Sequence, residues 1–305
     1  MSDDAAKIRT ATLIGASAVL MWGLLALLTT LTGQVPPFQL AALSFSIATA
    51  VAAVKWLVRG ESIAGHLRQP VGAWALGTVG LFGYHFFYFM ALRNAPPVEA
   101  GLIAYLWPLL IVLFSALLPG ERLRWYHLAG ALAGLAGAAL LITRGHGLQG
   151  FQAEYGFGYG MAVGCALTWS VYSVLNRRYT HVPTDAVGGF CAATAILAAF
   201  CHVAFEQTVW PADAGEWLAV AGLGLLPVGL AFFTWDFGTK HGDIRVLGAA
   251  AYAAPLISTT LLLAFGKGEA SWTVAAGCVL IVGGAVLAAK EMLLRNGTAS
   301  TAPQP

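Results

Sequence analysis

Residues 104–109 read Ala-Tyr-Leu-Trp-Pro-Leu, and residues 251–256, which lie 147 positions later, read Ala-Tyr-Ala-Ala-Pro-Leu. The same offset relates further pairs of identical residues on both sides of these stretches: Leu20 and Leu167, Trp22 and Trp169, Pro36 and Pro183, Gly101 and Gly248, Trp125 and Trp272, Gly130 and Gly277, Gly137 and Gly284. One offset that persists over so much of the chain is hard to obtain by chance. The sequence therefore predicts an internal duplication.

Both copies contain a proline, Pro108 or Pro255, three residues after a tyrosine within an apolar run. Proline has no backbone N–H and frees a carbonyl that would otherwise be hydrogen-bonded within the helix. Lipid cannot hydrate this carbonyl, so protein or a water-filled cavity must lie beside it. We therefore expect the ligand to bind near these two prolines.

The composition is typical of a polytopic membrane protein, because 58% of the 305 residues are hydrophobic and only 10% are charged. A hydrocarbon core about 30 Å thick needs roughly 20 apolar residues per helix. The fold class is all-α, and ten transmembrane helices are predicted at residues 11–31, 38–58, 71–92, 97–118, 125–143, 157–176, 185–204, 216–239, 246–266 and 272–291. The short connections leave no room for a soluble catalytic domain.

The basic residues predict the orientation of the chain in the membrane. With the N-terminus in the cytoplasm, all of the sixteen Lys and Arg residues fall in cytoplasmic segments except Arg93, Arg144 and Lys267. The positive-inside rule therefore favours cytoplasmic positions for both termini. Five spans per copy make the second copy enter from the opposite face, as in many secondary transporters. The expected units are residues 1–148, the inverted repeat 149–295 and a disordered cytoplasmic tail, 296–305.

Large aromatic residues near the membrane midplane suggest a central site. Trp and Tyr usually concentrate at the two interfaces, but several are predicted near the centre of a span: Trp22, Tyr84, Tyr88, Tyr105, Trp107, Trp169 and Tyr252. They either fill space between helices or line a cavity. Their convergence with Pro108 and Pro255 at one depth favours a cavity. Its apolar, π-rich wall with a few polar donors suits a small amphipathic molecule better than an inorganic ion.

The ionisable residues inside the predicted spans are few. His85 is the only histidine well inside a span, so it is a candidate binding residue; the alternative is a neutral ring satisfied by a neighbouring hydroxyl. No carboxylate at its depth would hold it protonated, which favours a neutral role over proton transfer. Asp236 has Lys240 four residues later and is predicted to form an ion pair. Trp235 is interpreted as an interface anchor.

The sequence lacks the residues that several classes of function require. The sequence contains no paired intramembrane carboxylates, no metal-ligand spacing, no nucleophile elbow and no Walker loop. We therefore expect no enzyme activity, no cofactor, no bound metal and no nucleic-acid partner. The expected partners are a small-molecule substrate and the lipid bilayer. A monomer is compatible with the sequence, which leaves the oligomeric state open.

The chain resembles a known family over essentially its whole length. Pro108 followed by Gly120-Glu121-Arg122, and Pro255 followed by Gly268-Glu269, within two inverted five-span repeats, is similar to the EamA-type drug/metabolite transporter superfamily. Substrates vary widely within that superfamily. The substrate inference therefore depends on the central aromatic residues.

These residues resemble those of the aromatic amino acid exporters of the superfamily: Tyr84-His85-x-x-Tyr88, Tyr105-x-Trp107-Pro108 and Trp169. The resemblance implies export of phenylalanine, tyrosine, tryptophan and other amino acids from a bacterial inner membrane by alternating access. The second copy departs from the first, with Ala254 opposite Trp107 and Phe232 opposite His85. Two alternatives stay open: a transporter of the same fold for another metabolite or drug, and a non-transporting receptor or scaffold.

Overall fold

The computed structural model describes residues 2–119, 123–143, 152–265 and 271–290, and its regular secondary structure in these ranges is helical throughout. The long helices are α1 Asp4–Thr30, α2 Pro37–Val58, α3 Val71–Asn94, α4 Pro97–Ser115, α5 Trp125–Thr143, α6 Gly156–Leu175, α7 Thr184–Phe205, α8 Ala214–His241, α9 Ile244–Leu261 and α10 Trp272–Ala288. A short helix, Ile63–Leu67, lies between α2 and α3.

Eight of these helices, α1–α5 and α7–α9, are long and apolar enough to cross a membrane. Helix α6 has 20 residues, including four glycines, and α10 is a shorter apolar helix of 17 residues. The chain is therefore a helical multi-pass membrane protein, as its composition predicts. Helix α1 begins earlier than predicted because exposed charged residues such as Lys7 extend it beyond the apolar span. The tail 296–305 and the segments 120–122 and 268–269 lie outside the described residues.

Four helices are irregular in their middle, and α1 has a turn at Leu24, between Gly23 and Leu25. Helices α3 and α8 each contain a five-residue π-helical turn, Val79–Gly83 and Leu226–Leu230, and these turns are 147 positions apart. Helices α4 and α9 are interrupted at residues 105–106 and 251–252. Each interruption is followed by a second half-helix, and a proline lies in the first turn of that half-helix. The ring of a proline clashes with the carbonyl four residues earlier, which explains why the helix ends there.

Glycine residues allow some helices to approach each other closely. Helices α5 and α10 meet through backbone at Gly130 and Gly284, since a Cβ on either glycine would lie 2.5 Å from the carbonyl oxygen of the other. The contact between Gly137 and Gly277 is reciprocal in the same way, at 2.8 and 3.1 Å. Helix α1 packs along α8, α6 packs along α3, and α2 packs along α7. Such contacts stabilise helix pairs in lipid through close van der Waals packing.

The two ends of the bundle differ. We call the end where α1 ends and α2 begins the open end, because a central cavity extends to Thr30, Val35 and Pro37 there. We call the end where α8 ends and α9 begins the closed end, because polar contacts join the helices there.

The carboxylate of Asp236 is the centre of the polar network at the closed end. It accepts hydrogen bonds from Lys240 at 2.9 Å, from the Thr184 hydroxyl at 2.6 Å and from the Asn176 amide at 2.9 Å. Lys240 also donates to the carbonyl of Val182 at 3.0 Å. The predicted ion pair is therefore confirmed. Both charges are buried, and such a pair is tolerated because both partners make further hydrogen bonds.

A hydrogen bond links the loop between α8 and α9 to α1. The backbone N–H of Asp243 donates to the Thr12 hydroxyl at 2.8 Å, and the Asp243 carboxylate accepts from the Arg245 side chain at 2.8 and 3.0 Å. Burial alone would raise the pKa of Asp243, but the hydrogen bonds and the positive charge of Arg245 outweigh it, so that this pKa lies below its usual value. Asp243 therefore stays ionised and caps the start of α9.

Candidate functional site

A cavity of about 610 Å³ occupies the centre of the bundle, and residues of α1, α2, α3, α4, α5, α8 and α9 line it. A smaller chamber of about 80 Å³ lies at its inner limit and shares five lining aromatic residues with it: Trp22, Tyr84, His85, Tyr105 and Trp107. The irregular segments of α4 and α8 border these spaces, and Ala254 and Pro255 line the cavity shortly after the interruption of α9. The helix breaks therefore coincide with the cavity, as expected where backbone groups are not paired within a helix.

Tryptophan rings form the inner limit of the cavity, which we call the floor. The ring centroid of Trp22 lies 6.0 Å from that of Trp107, 5.7 Å from Trp169 and 5.0 Å from Trp235. The indole N–H of Trp22 donates to the Pro227 carbonyl at 3.1 Å. These crossed and tilted ring pairs are the favourable geometries for aromatic contact. The floor separates the cavity from the closed end.

The structure corrects the sequence-based interpretation of Trp235. It was expected to anchor the chain at the membrane interface, but it is fully buried and belongs to the floor. Its indole N–H donates to the Ser173 hydroxyl at 3.1 Å. The interpretation was wrong because position along a span does not reveal which side of the helix faces other helices.

Helix α3 supplies the aromatic wall. The rings of Tyr84 and Tyr88 are parallel, with centroids 6.1 Å apart. Between them in sequence, His85 places Nδ1 2.7 Å from the carbonyl oxygen of Leu81, in the π-helical turn. A carbonyl can only accept, so Nδ1 carries the hydrogen and Nε2 of the neutral ring is an acceptor. The partner of His85 is therefore a backbone carbonyl rather than the neighbouring hydroxyl that the sequence suggested.

The cavity wall contains no Asp, Glu, Lys or Arg among the residues that the structure describes. Its polar side chains are His85, the tyrosines Tyr84, Tyr88 and Tyr105, the indoles of Trp22 and Trp107, and the hydroxyls of Thr29, Thr30, Ser44, Ser258 and Thr259. The Ser44 hydroxyl is buried without a hydrogen-bond partner within the described chain, whereas Ser46 and Thr49 on the same helix bond carbonyls four residues earlier. The cavity therefore suits a ligand with an apolar ring, polar groups and no net charge.

Most predicted site residues meet at this cavity. Seven line the larger space: Trp22, Tyr84, His85, Tyr88, Tyr105, Trp107 and Pro255. Trp169 lines only the smaller chamber. Pro108 and Tyr252 line neither space; the hydroxyl oxygen of Tyr252 accepts from the backbone N–H of Leu109 at 3.1 Å, and its side chain is fully buried.

Sequence reasoning missed several lining residues, chiefly Phe45, Phe89, Thr29, Thr30, Ser44, Ser258 and Thr259. Each lies within a predicted span. Because lipid-facing and protein-facing positions are both apolar, hydropathy does not identify the inner face of a membrane helix. For Ser44, Ser258 and Thr259, a hydroxyl within an apolar run was the only available signal.

One side-chain cluster has the residue types of a metal site. The possible ligand atoms of Glu61, His66 and Asp185 lie within 4.8 Å of one another near the closed end. His66 Nε2 is 2.8 Å from a Glu61 carboxylate oxygen, and Asp185 is paired with Lys55. Both carboxylates therefore already have cationic or hydrogen-bonding partners. The cluster joins the end of α2 to the start of α7.

The fold and the cavity define a class of protein, the membrane transporters, in which a central site is built where helices are broken near mid-depth. The chain belongs to the EamA-like transporter family: the family pattern matches residues 9–143 and again residues 156–290. The two matches begin 147 positions apart, which is the offset of the internal duplication. The family resemblance inferred from the sequence is thus confirmed.

Individual relatives cover almost the whole chain. The sequence is 58% identical to the aromatic amino acid exporter YddG of Ancylobacter novellus, over 92% of this chain and 96% of that protein. It is 25% identical to the aromatic amino acid exporter YddG of Salmonella typhimurium, over 91% of this chain and 96% of that one. A solved crystal structure with 57% identity superposes with a TM-score of 0.89, over 93% of this chain and 98% of the other.

Proposed function

We propose that this protein exports aromatic amino acids, and other amino acids without net charge, across a bacterial inner membrane. The observation that carries the proposal is the aromatic cavity with an uncharged wall, in which His85 offers one hydrogen-bond acceptor. The family and the relatives named as aromatic amino acid exporters support the same substrate class. Transport rather than catalysis is the activity of these relatives.

An amino acid fits the cavity in one orientation. Its side chain rests on the tryptophans of the floor, and its ammonium group donates to Nε2 of His85. Its carboxylate faces the start of the half-helix Trp107–Ser115, because α4 runs from the open end inward and the N-terminus of a helix carries partial positive charge. A volume of about 610 Å³ is within the usual range for small-molecule sites.

We also infer that ten helices cross the membrane as two inverted repeats, residues 1–148 and 149–295, with both termini in the cytoplasm. The π-helical turns 147 positions apart and the reciprocal glycine contacts of α5 and α10 support this arrangement. With this orientation the open end faces away from the cytoplasm. The described conformation then corresponds to the outward-open state of an alternating-access cycle.

The proposal is tested with purified protein in liposomes. We expect uptake of labelled phenylalanine well above that of empty liposomes, and uptake of labelled glutamate and lysine at least tenfold slower than that of phenylalanine. An imposed pH gradient should leave the initial rate unchanged, because no carboxylate lines the described cavity to carry a proton. Absence of phenylalanine uptake would contradict the proposed function, and equal uptake of all three amino acids would contradict its selectivity.

A further inference from the structure

Four positions around the smaller chamber form two equivalent pairs of the duplication. Trp22 and Trp169 are 147 positions apart, and both border the chamber. The second pair is Trp107 and Ala254, which also border it. Three of the four positions therefore hold a tryptophan, and the fourth holds an alanine. The second copy lacks the indole ring that Trp107 provides in the first.

The three tryptophan rings stand nearly perpendicular to one another. The ring centroids of Trp22 and Trp107 are 6.0 Å apart, those of Trp22 and Trp169 are 5.7 Å apart, and those of Trp107 and Trp169 are 6.3 Å apart. Such pairs bring the positive edge of one ring to the negative face of another. A further aromatic ring in the chamber would therefore have edges and faces of tryptophans as its neighbours.

The chamber is small and opens into the larger cavity. Its volume of about 80 Å³ is too small for a whole amino acid, since it corresponds to roughly two or three water molecules. Trp22, His85 and Ala254 line both spaces. A ring can therefore enter the chamber while the ammonium group of the same molecule stays beside Nε2 of His85.

The backbone at Ala254 is held close to α1. Ala254 belongs to the half-helix Ala253–Ala264, and Gly23 of α1 packs against this half-helix. A Cβ on Gly23 would lie 2.4 Å from the side chain of Ile257 and 3.6 Å from the carbonyl oxygen of Ala254. The half-helix therefore has no room to shift toward α1. Extra atoms on the side chain at position 254 extend into the chamber that this residue borders.

We propose that Ala254 determines the specificity for aromatic side chains. The ring of the substrate occupies the chamber and takes the place of the missing fourth indole. Amino acids with a planar aromatic side chain are therefore preferred over those with a small aliphatic one, which leave the chamber unfilled. This inference rests on the proposed function, since it names the residue that selects among the substrates.

Two alanine-to-leucine substitutions test the proposal. Ala254→Leu places a larger side chain in the chamber. Ala26→Leu is the matched control, because Ala26 lines only the larger cavity. Initial uptake of labelled phenylalanine and of labelled alanine is measured in liposomes at concentrations well below KM. Ala254→Leu should lower the ratio of phenylalanine to alanine uptake at least about tenfold, because the ring loses several aromatic contacts. Ala26→Leu should change this ratio less than about twofold, because the chamber is intact.

The outcomes separate the role of Ala254 from the proposed function. An unchanged ratio in folded Ala254→Leu that still transports phenylalanine would overturn the role of Ala254 and leave the proposed function standing. An equal fall of the ratio in both variants would also overturn it, because selectivity would then depend on the width of the larger cavity. Absence of phenylalanine uptake by the wild-type protein would instead remove the proposed function.

A second measurement needs no variant, and it also decides the matter where Ala254→Leu does not fold or alanine uptake is too slow for a ratio. Phenylalanine does not fluoresce at wavelengths that excite only tryptophan. Binding of its ring beside Trp22, Trp107 and Trp169 should therefore produce a saturable change in the tryptophan fluorescence of the wild-type protein in detergent. Alanine at equal concentration should produce a much smaller change. Equal changes, or no change with phenylalanine in protein that transports it, would overturn the proposal.

Discussion

His85 reaches the cavity with one ring nitrogen already bonded to the protein. Nδ1 donates to the Leu81 carbonyl, and the ring packs edge-on against Phe45, with centroids 5.1 Å apart. Both contacts hold the ring in one orientation, which leaves Nε2 as the acceptor for a ligand. Burying an amino acid ammonium group without an acceptor would leave it unsatisfied, which costs about 1 to 3 kcal/mol or more.

Two amide substitutions separate the roles of the two ring nitrogens. In His85→Asn the amide can replace Nδ1 and bond Leu81, but it does not reach the position of Nε2; in His85→Gln the amide reaches that position. At phenylalanine concentrations well below KM, we expect initial uptake to decrease in the order wild type, His85→Gln, His85→Asn. His85→Ala should lose about ten- to a hundredfold, corresponding to an unsatisfied polar group.

Each variant is compared by liposome uptake after size-exclusion chromatography has established that it is folded. Wild-type uptake by folded His85→Ala would exclude His85 from the site. A pH-gradient response of the wild type that His85→Gln lacks would instead assign a coupling proton to this residue.

Among the helices, α5 and α10 are uninterrupted and pack closely together, in contrast to the broken helices α4 and α9. Their contact at Gly130 and Gly284 is between backbones and is reciprocal, so neither helix can rotate or slide without separating the two. They lie beside the cavity rather than across it, with only Leu141 and Ile142 of α5 among the lining residues. The pair therefore borders the cavity without contributing any of its polar side chains.

Adjacent glycines of α10 provide a matched test of this contact. A Cβ at Gly284 would lie 2.5 Å from the Gly130 carbonyl, whereas a Cβ at Gly283 meets nothing within 4 Å. Gly284→Ala should therefore destabilise the fold by about 1 to 3 kcal/mol through overpacking. Gly283→Ala should be neutral or slightly stabilising, because alanine favours the helix. Thermal unfolding in detergent, followed by tryptophan fluorescence, measures both; equal Tm values would contradict a backbone contact.

For the whole molecule, the orientation in the membrane determines which compartment the cavity faces. A reporter that is active only in the periplasm should give no signal when it is fused to the C-terminus. The same reporter fused after residue 148 of a truncated chain should give a strong signal, because the first five spans end on the opposite side. A strong signal from the C-terminal fusion would overturn the count of ten spans, and with it the direction of the open end.

The positions of the helices and much of the site could be predicted because they depend on local or linear features. Apolar length predicts where a helix crosses the membrane, so α2 and α5 agree with the predicted spans within one residue. A proline in an apolar run predicts a break, and the breaks before Pro108 and Pro255 occur in the structure. Aromatic residues at mid-span predicted part of the cavity wall, including His85 and its neighbours.

Whether an individual side chain points toward lipid, toward another helix or into the cavity could not be predicted in this way. Trp235 and Tyr252 occupy the middle of contacts between helices, yet their sequence surroundings resemble those of residues at an interface or in a cavity. In water, an amphipathic pattern marks the buried face of a helix; in lipid, the outer face is apolar as well. The hydropathy pattern of a membrane helix therefore says little about which of its residues contact other helices.

The sequence by itself determined the membrane class, the duplication at an offset of 147 and the depth at which the helices break, since each follows from hydropathy, proline chemistry or direct comparison of the chain with itself. Only the tertiary structure decided that the cavity extends to one end. Gly101 and Gly248 are equivalent in the sequence, but a Cβ on Gly248 would contact α4, whereas a Cβ on Gly101 would meet no atom of another element within 4 Å. The surroundings of equivalent residues depend on how the two copies pack together, and neither copy's own sequence specifies that packing.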